Sequence, residues 1–71
     1  MDGHLVQIYY RVGAEMFVFR YRPEFYREAL REVGHRASEK SAFTWRDAAI
    51  VTAAMRAERD GREAYLAACA Q

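Results

Sequence analysis

The side chains best suited to acid–base, nucleophilic or metal-binding work are His4, His35, Cys69 and the scattered carboxylates. One thiol and two distant imidazoles offer no zinc-ligand spacing. There is no C-x-x-C, H-E-x-x-H, G-x-S-x-G or glycine-rich phosphate loop, so the motifs that have a mechanical reason to perform chemistry are missing. Cys69 sits at the C-terminal end of a helical stretch, the wrong end of a helix for a thiolate nucleophile, and it reads as a small apolar residue. Glu24 and Asp47 fall in first turns of helices, Glu28 is spaced to meet Arg31, and Glu32 to meet Arg36. The sequence thus nominates no catalytic residue, no metal ligand and no cofactor, and we expect a non-catalytic chain.

Contact chemistry is better represented. Trp45 with Tyr65, Tyr26 and the N-terminal aromatics has the composition of a stacking platform, but a ring directly after a helix cap usually folds against neighbouring elements, so Trp45 is expected in the core. A second set, Leu5, Gln7, Tyr9, Arg11, Met16, Val18, Arg20 and Arg22, alternates with apolar residues along two extended segments. Tyrosine, methionine and arginine without lysine are the residues enriched at interaction surfaces. A second copy of the chain, giving a homodimer, is the leading occupant, or else a larger protein assembly to which the chain is a small accessory partner. Single-stranded nucleic acid, with Tyr9 stacking a base and the arginines meeting phosphates, is the alternative. An ordinary surface, on which arginine and tyrosine stems cover small apolar groups, is the third reading.

These residues are positioned by a hairpin. Residues 4–12 and 15–22 are rich in β-branched and aromatic side chains with a period near two, and Gly13-Ala14 between them suits a type II′ turn. That turn sets Val12 opposite Glu15, and hence Tyr10 with Phe17, Ile8 with Phe19 and Val6 with Tyr21 on one apolar face. The other face pairs Arg11 with Met16, Tyr9 with Val18, Gln7 with Arg20 and Leu5 with Arg22.

Pro23 is well placed to open a helix over 23–38, with Tyr26, Ala29, Leu30, Val33 and Ala37 at helical spacing. Thr44-Trp45-Arg46-Asp47 resembles a capping box, with Phe43 and Ala48 placed as a hydrophobic staple, and starts a helix over 45–59. Its alanines at 48, 49, 53, 54 and 57 favour helix and let another backbone come close. Gly61 inside Asp60-Gly61-Arg62-Glu63 suggests a bend, followed by a short C-terminal helix over 62–70 or an extension of the preceding one. The fold class is α+β, a hairpin packed on two helices, in one domain spanning 1–71.

Length and composition set the frame. With 71 residues, 52% of them hydrophobic and 30% charged, the chain is long enough for one core. A core this small leaves a need for further support, and the single cysteine excludes an internal disulfide. The net charge of +1 gives no global pull toward nucleic acid or anionic membranes, and no apolar run spans a bilayer. A cytoplasmic protein is expected. Ten arginines against Lys40 alone, with many alanines, fit a GC-rich bacterial genome.

Overall fold

Gly13 has φ +61°, and it is the only described residue with positive φ, so the reversal carries one residue of positive φ followed by Ala14, whose φ is not positive. This fits the type II′ turn and excludes type I′, which needs positive φ at both central positions. The computed structural model describes residues 4–69. Strand β1 spans Val6–Val12 and β2 spans Glu15–Tyr21, paired antiparallel in the register set by the turn, from Val12 opposite Glu15 to Val6 opposite Tyr21. Leu5 and Arg22 lie just outside the strands, so their expected pair is not part of the ladder.

Arg22 is extended (φ −85°, ψ 148°), as the residue before a proline must be, and Pro23–Phe25 form a 3-10 turn in which the Phe25 N–H donates to the Arg22 carbonyl at 2.8 Å. The α-helix α1 follows at Tyr26–Ser38, starting three residues later than proline spacing suggested because the first turn is wound more tightly. At its end the Ser38 hydroxyl donates to the His35 carbonyl at 2.7 Å and the Glu39 N–H to the Arg36 carbonyl at 3.3 Å.

Helix α2 spans Trp45–Cys69 without interruption, so of the two expected outcomes the extension of the preceding helix is the one found, the bend at Gly61 and the stop at Arg59 are not, and Ala70 lies outside the described residues. Gly61 does not break it. A glycine costs a helix interior about 1 kcal/mol, whereas the alanines and long side chains on both sides favour helix. The helix begins at a reciprocal cap: the Thr44 N–H and hydroxyl donate to Asp47 Oδ2 at 2.8 and 2.9 Å, and the Asp47 N–H donates to Thr44 Oγ1 at 3.3 Å.

The helices lie on one face of the hairpin, α1 against β2 and α2 against β1, with each other as neighbours. Between the layers are Val6, Phe17, Phe19, Tyr21, Val33, Ala37, Phe43, Ala48, Val51 and Met55. The apolar hairpin face is therefore the inward one. Phe43, in the connection between the helices, is 1% exposed and sits under three hairpin rings, with centroids 6.0 Å from Tyr10, 4.9 Å from Phe17 and 5.6 Å from Phe19. Trp45 does not join them. It is 63% exposed, a correction to its expected core position, and its ring edge lies 3.9 Å from the place where a Cβ on Gly34 would be. Phe43 already fills the space under the sheet, so Trp45, two residues on, lies against the α1 backbone.

The molecule measures 47 × 18 × 18 Å, and α2, about 37 Å long at 1.5 Å per residue, sets its long axis. Its buried residues, Ala48, Val51 and Met55, all belong to its first half. Among the described residues, no helix is long and apolar enough to cross a membrane.

Candidate interaction surfaces

On the outer hairpin face Leu5, Tyr9 and Met16 are 46%, 58% and 45% exposed, Gln7, Arg11, Arg20 and Arg22 are exposed, and Val18 is half-buried. Among the described residues nothing covers this side, because both helices pack on the other. Gln7 is its organising residue: its Oε1 accepts from the Tyr9 hydroxyl at 2.9 Å and from Arg20 Nε at 3.0 Å, fixing both side chains across the two strands. The face holds three arginines and no carboxylate, so it is locally basic on a chain of net charge +1. Among the described residues, Arg11, Arg20 and Arg22 make no ion pair.

The groups suited to chemistry are dispersed. His4 Nε2 lies 3.4 Å from Glu58 Oε2, and Glu58 in turn meets Arg62 at 2.8 and 3.2 Å. The Arg62 guanidinium beside it holds the Glu58 carboxyl below its usual pKa, so Glu58 is a fixed anion rather than a proton donor. His35 pairs with Glu39 on the surface at 3.4 Å, and Cys69 is exposed at the far end of α2. Among the described residues, no group of three His, Cys, Asp or Glu side chains is arranged to hold a metal ion.

Two open grooves are present. One, about 550 Å³, lies between the start of α1 and the distal part of α2, lined by His4, Pro23, Glu24, Arg62, Tyr65 and Leu66. The other, about 450 Å³, runs along the free edge of β2 from Val18 to Arg22, with Phe25, Glu28, Ala29, Glu32 and Arg36 as its floor. Neither brings a nucleophile to a base.

Sequence reasoning missed the surface of α2. Ile50, Ala54, Ala57, Gly61, Ala64 and Ala68 recur at intervals of four, three, four, three and four, and every one of them is exposed. Ala53 and Tyr65 widen this band to an uncharged stripe, about 27 Å long, roughly a third of a turn round the helix from Val51 and Met55. Its two large members, Ile50 and Tyr65, are 47% and 68% exposed. The seven-residue spacing was present in the sequence, but reading Gly61 as a stop divided it between two short segments.

No protein family, no curated protein and no solved structure matches the chain.

Proposed function

We propose that the chain is a non-catalytic protein–protein interaction module that forms a homodimer through α2. The observation that carries this reading is the uncharged, exposed stripe from Ile50 to Ala68, continuous over five turns of a helix whose distal half has no buried residue. A half-helix of about ten residues is marginal in water without tertiary packing. A second α2 supplies that packing. If two copies cross antiparallel midway between Ala57 and Glu58, Ile50 faces the partner's Tyr65, Ala54 faces the partner's Gly61, and small residues near the centre let the backbones approach closely. On the flank Arg56 comes within one residue of the level of the partner's Asp60, an attractive pairing of charges.

The outer hairpin face suits a second copy less well. Stacking two such faces doubles an array of three arginines with no carboxylate to offset it, and like charges brought together oppose association. That basic face, with Tyr9 exposed in its middle, supports a second reading, a small accessory domain for single-stranded nucleic acid, in which binding weakens steeply with salt. The lone exposed thiol of Cys69 is at home in a reducing compartment, and we place the module in the cytoplasm.

Sedimentation of the full chain in reductant across micromolar concentrations tests the principal reading. A reversible dimer is expected, together with at least a tenfold loss of association for Ala54→Glu/Ala57→Glu, which places four carboxylates in the crossing. A monomer at high micromolar concentration, or a double variant that associates like the parent, contradicts it. Salt-sensitive saturable binding of a mixed single-stranded oligonucleotide, lost in Arg11→Ala/Arg20→Ala, is the result that would favour the second reading.

A further inference from the structure

In a hairpin closed by a two-residue turn, Val12 and Glu15 form a hydrogen-bonded pair, and the pairs then alternate along the ladder. Tyr10–Phe17, Ile8–Phe19 and Val6–Tyr21 are thus the bonded pairs. The remaining residues of β2, Met16, Val18 and Arg20, direct their N–H and C=O groups away from β1, toward the open edge. Among the described residues, no loop, cap or turn hydrogen bond reaches these groups. A row of unpaired backbone donors and acceptors is a template for one further strand.

The edge also has a floor. Beside Val18 to Arg22 the 450 Å³ groove is bounded by α1, with Phe25, half exposed, and Ala29 as its apolar part. Glu32 and Arg36 of that floor are paired at 3.4 Å, and the Arg36 guanidinium lies 5.7 Å from the centroid of the Phe19 ring. Above the groove, on the outer face, Arg20 and Arg22 make no ion pair among the described residues, and of the two carboxylates on the floor Glu32 is held by Arg36 while Glu28 is exposed beside the apolar part. A strand seated on β2 alternates its side chains, one set descending to Phe25 and Ala29 and the other rising beside Arg20 and Arg22.

We propose that the β2 edge is a docking site for an extended peptide segment of a partner protein, with apolar and acidic residues in alternation, that adds to the hairpin as a third strand. The backbone groups of Val18 and Arg20 supply register-independent attraction, the α1 floor selects apolar residues at every second position, and the two arginines select carboxylates at the others. A second copy's hairpin is the poorer occupant, because it would bring its own α1 against this one under the sheet. The site is separate from the α2 stripe, which lies on the side of that helix remote from α1, so neither proposal depends on the other.

The test uses the full chain and an end-capped, fluorescein-labelled hexapeptide alternating Val and Glu, read by anisotropy at low and physiological salt. Saturable binding is expected, weakened at least tenfold when alternate peptide amides are N-methylated, when Lys replaces Glu, and in Arg20→Glu/Arg22→Glu. Val18→Pro removes one outward N–H without touching the bonds to β1 and is expected to weaken binding similarly, whereas Tyr9→Pro, its counterpart on the β1 edge, is expected to retain it. Circular dichroism confirms that both proline variants fold, and the N-methylated peptide probes the same bonds without altering the protein. Absence of saturable binding at millimolar peptide, equal binding of the N-methylated peptide, or displacement of the peptide by a mixed oligonucleotide at lower concentration overturns the proposal.

Discussion

Asp47 joins the cap of α2 to the sheet, because its Oδ2 receives the Thr44 N–H and hydroxyl while its Oδ1 accepts the Tyr10 hydroxyl at 2.7 Å. The Thr44 amide first, and the Tyr10 hydroxyl next, hold its pKa below the ordinary carboxylate value, while the bond to Asp47 raises that of Tyr10. A carboxyl depressed in the folded state stabilises above its unfolded pKa and loses that contribution as pH falls through the folded value. Thermal unfolding followed from pH 7 downward should therefore show stability falling below about pH 4, with Asp47→Asn flattening part of that slope. The opposite sign applies to Tyr10, whose contribution is complete below about pH 10 and is lost as pH rises through its raised value; Tyr10→Phe should flatten part of the alkaline slope. Tyr21 differs, since its buried hydroxyl has no hydrogen-bond partner and burial raises its pKa. Tyr21→Phe should leave stability unchanged or raise it by up to about 1 kcal/mol in denaturant titration, and a loss larger than that would mean the hydroxyl is satisfied. The Thr-x-x-Asp cap was legible in the sequence because its spacing states its function. The Trp45–Phe43 exchange was not, because both rings flank the same cap and only the closeness of Tyr10, Phe17 and Phe19 decides which is enclosed.

At the scale of elements, the hairpin was readable in register and sidedness though not at its open end, where Leu5 and Arg22 fall outside the ladder, since one turn type and a period of two fix register and sidedness together. Its glycine is indispensable to that geometry: Gly13→Ala, at φ +61°, should cost about 1 kcal/mol, measured as a lower midpoint in urea. Gly34 lies inside α1 at ordinary contact distance from Trp45, so Gly34→Ala should instead raise stability by about 0.5–1 kcal/mol, the helix gaining propensity without a clash. A decrease on that substitution would mean that Trp45 packs on α1 more tightly than 3.9 Å implies. The end of α2 was not readable from local signals. Asp60-Gly61-Arg62-Glu63 carries both the punctuation of a helix stop and side chains compatible with continuation, and ion pairs such as Glu58 with Arg62 span the site in the continuous helix.

For the whole molecule, the ten buried residues account for the hairpin, α1 and the first half of α2, and leave the second half with no buried residue, touched at its start, where His4 meets Glu58 and the Arg59 guanidinium lies 4.6 Å from the Tyr26 ring centroid. The sidedness of the hairpin, with Tyr9 and Val18 turned away from the helices, was legible in the sequence, but the stripe on α2 was hidden, because its spacing acquires meaning only once Gly61 is known to be helical. The proposed self-association through that stripe would make the order of the distal helix depend on protein concentration. Amide hydrogen exchange over residues 61–69, recorded in reductant at low and high micromolar protein, tests this most directly. Protection that rises with concentration, and disappears in Ala54→Glu/Ala57→Glu while the core amides of β1 and β2 stay protected, is the predicted result. Protection of residues 61–69 that is the same at every concentration, whether high or absent, would contradict it.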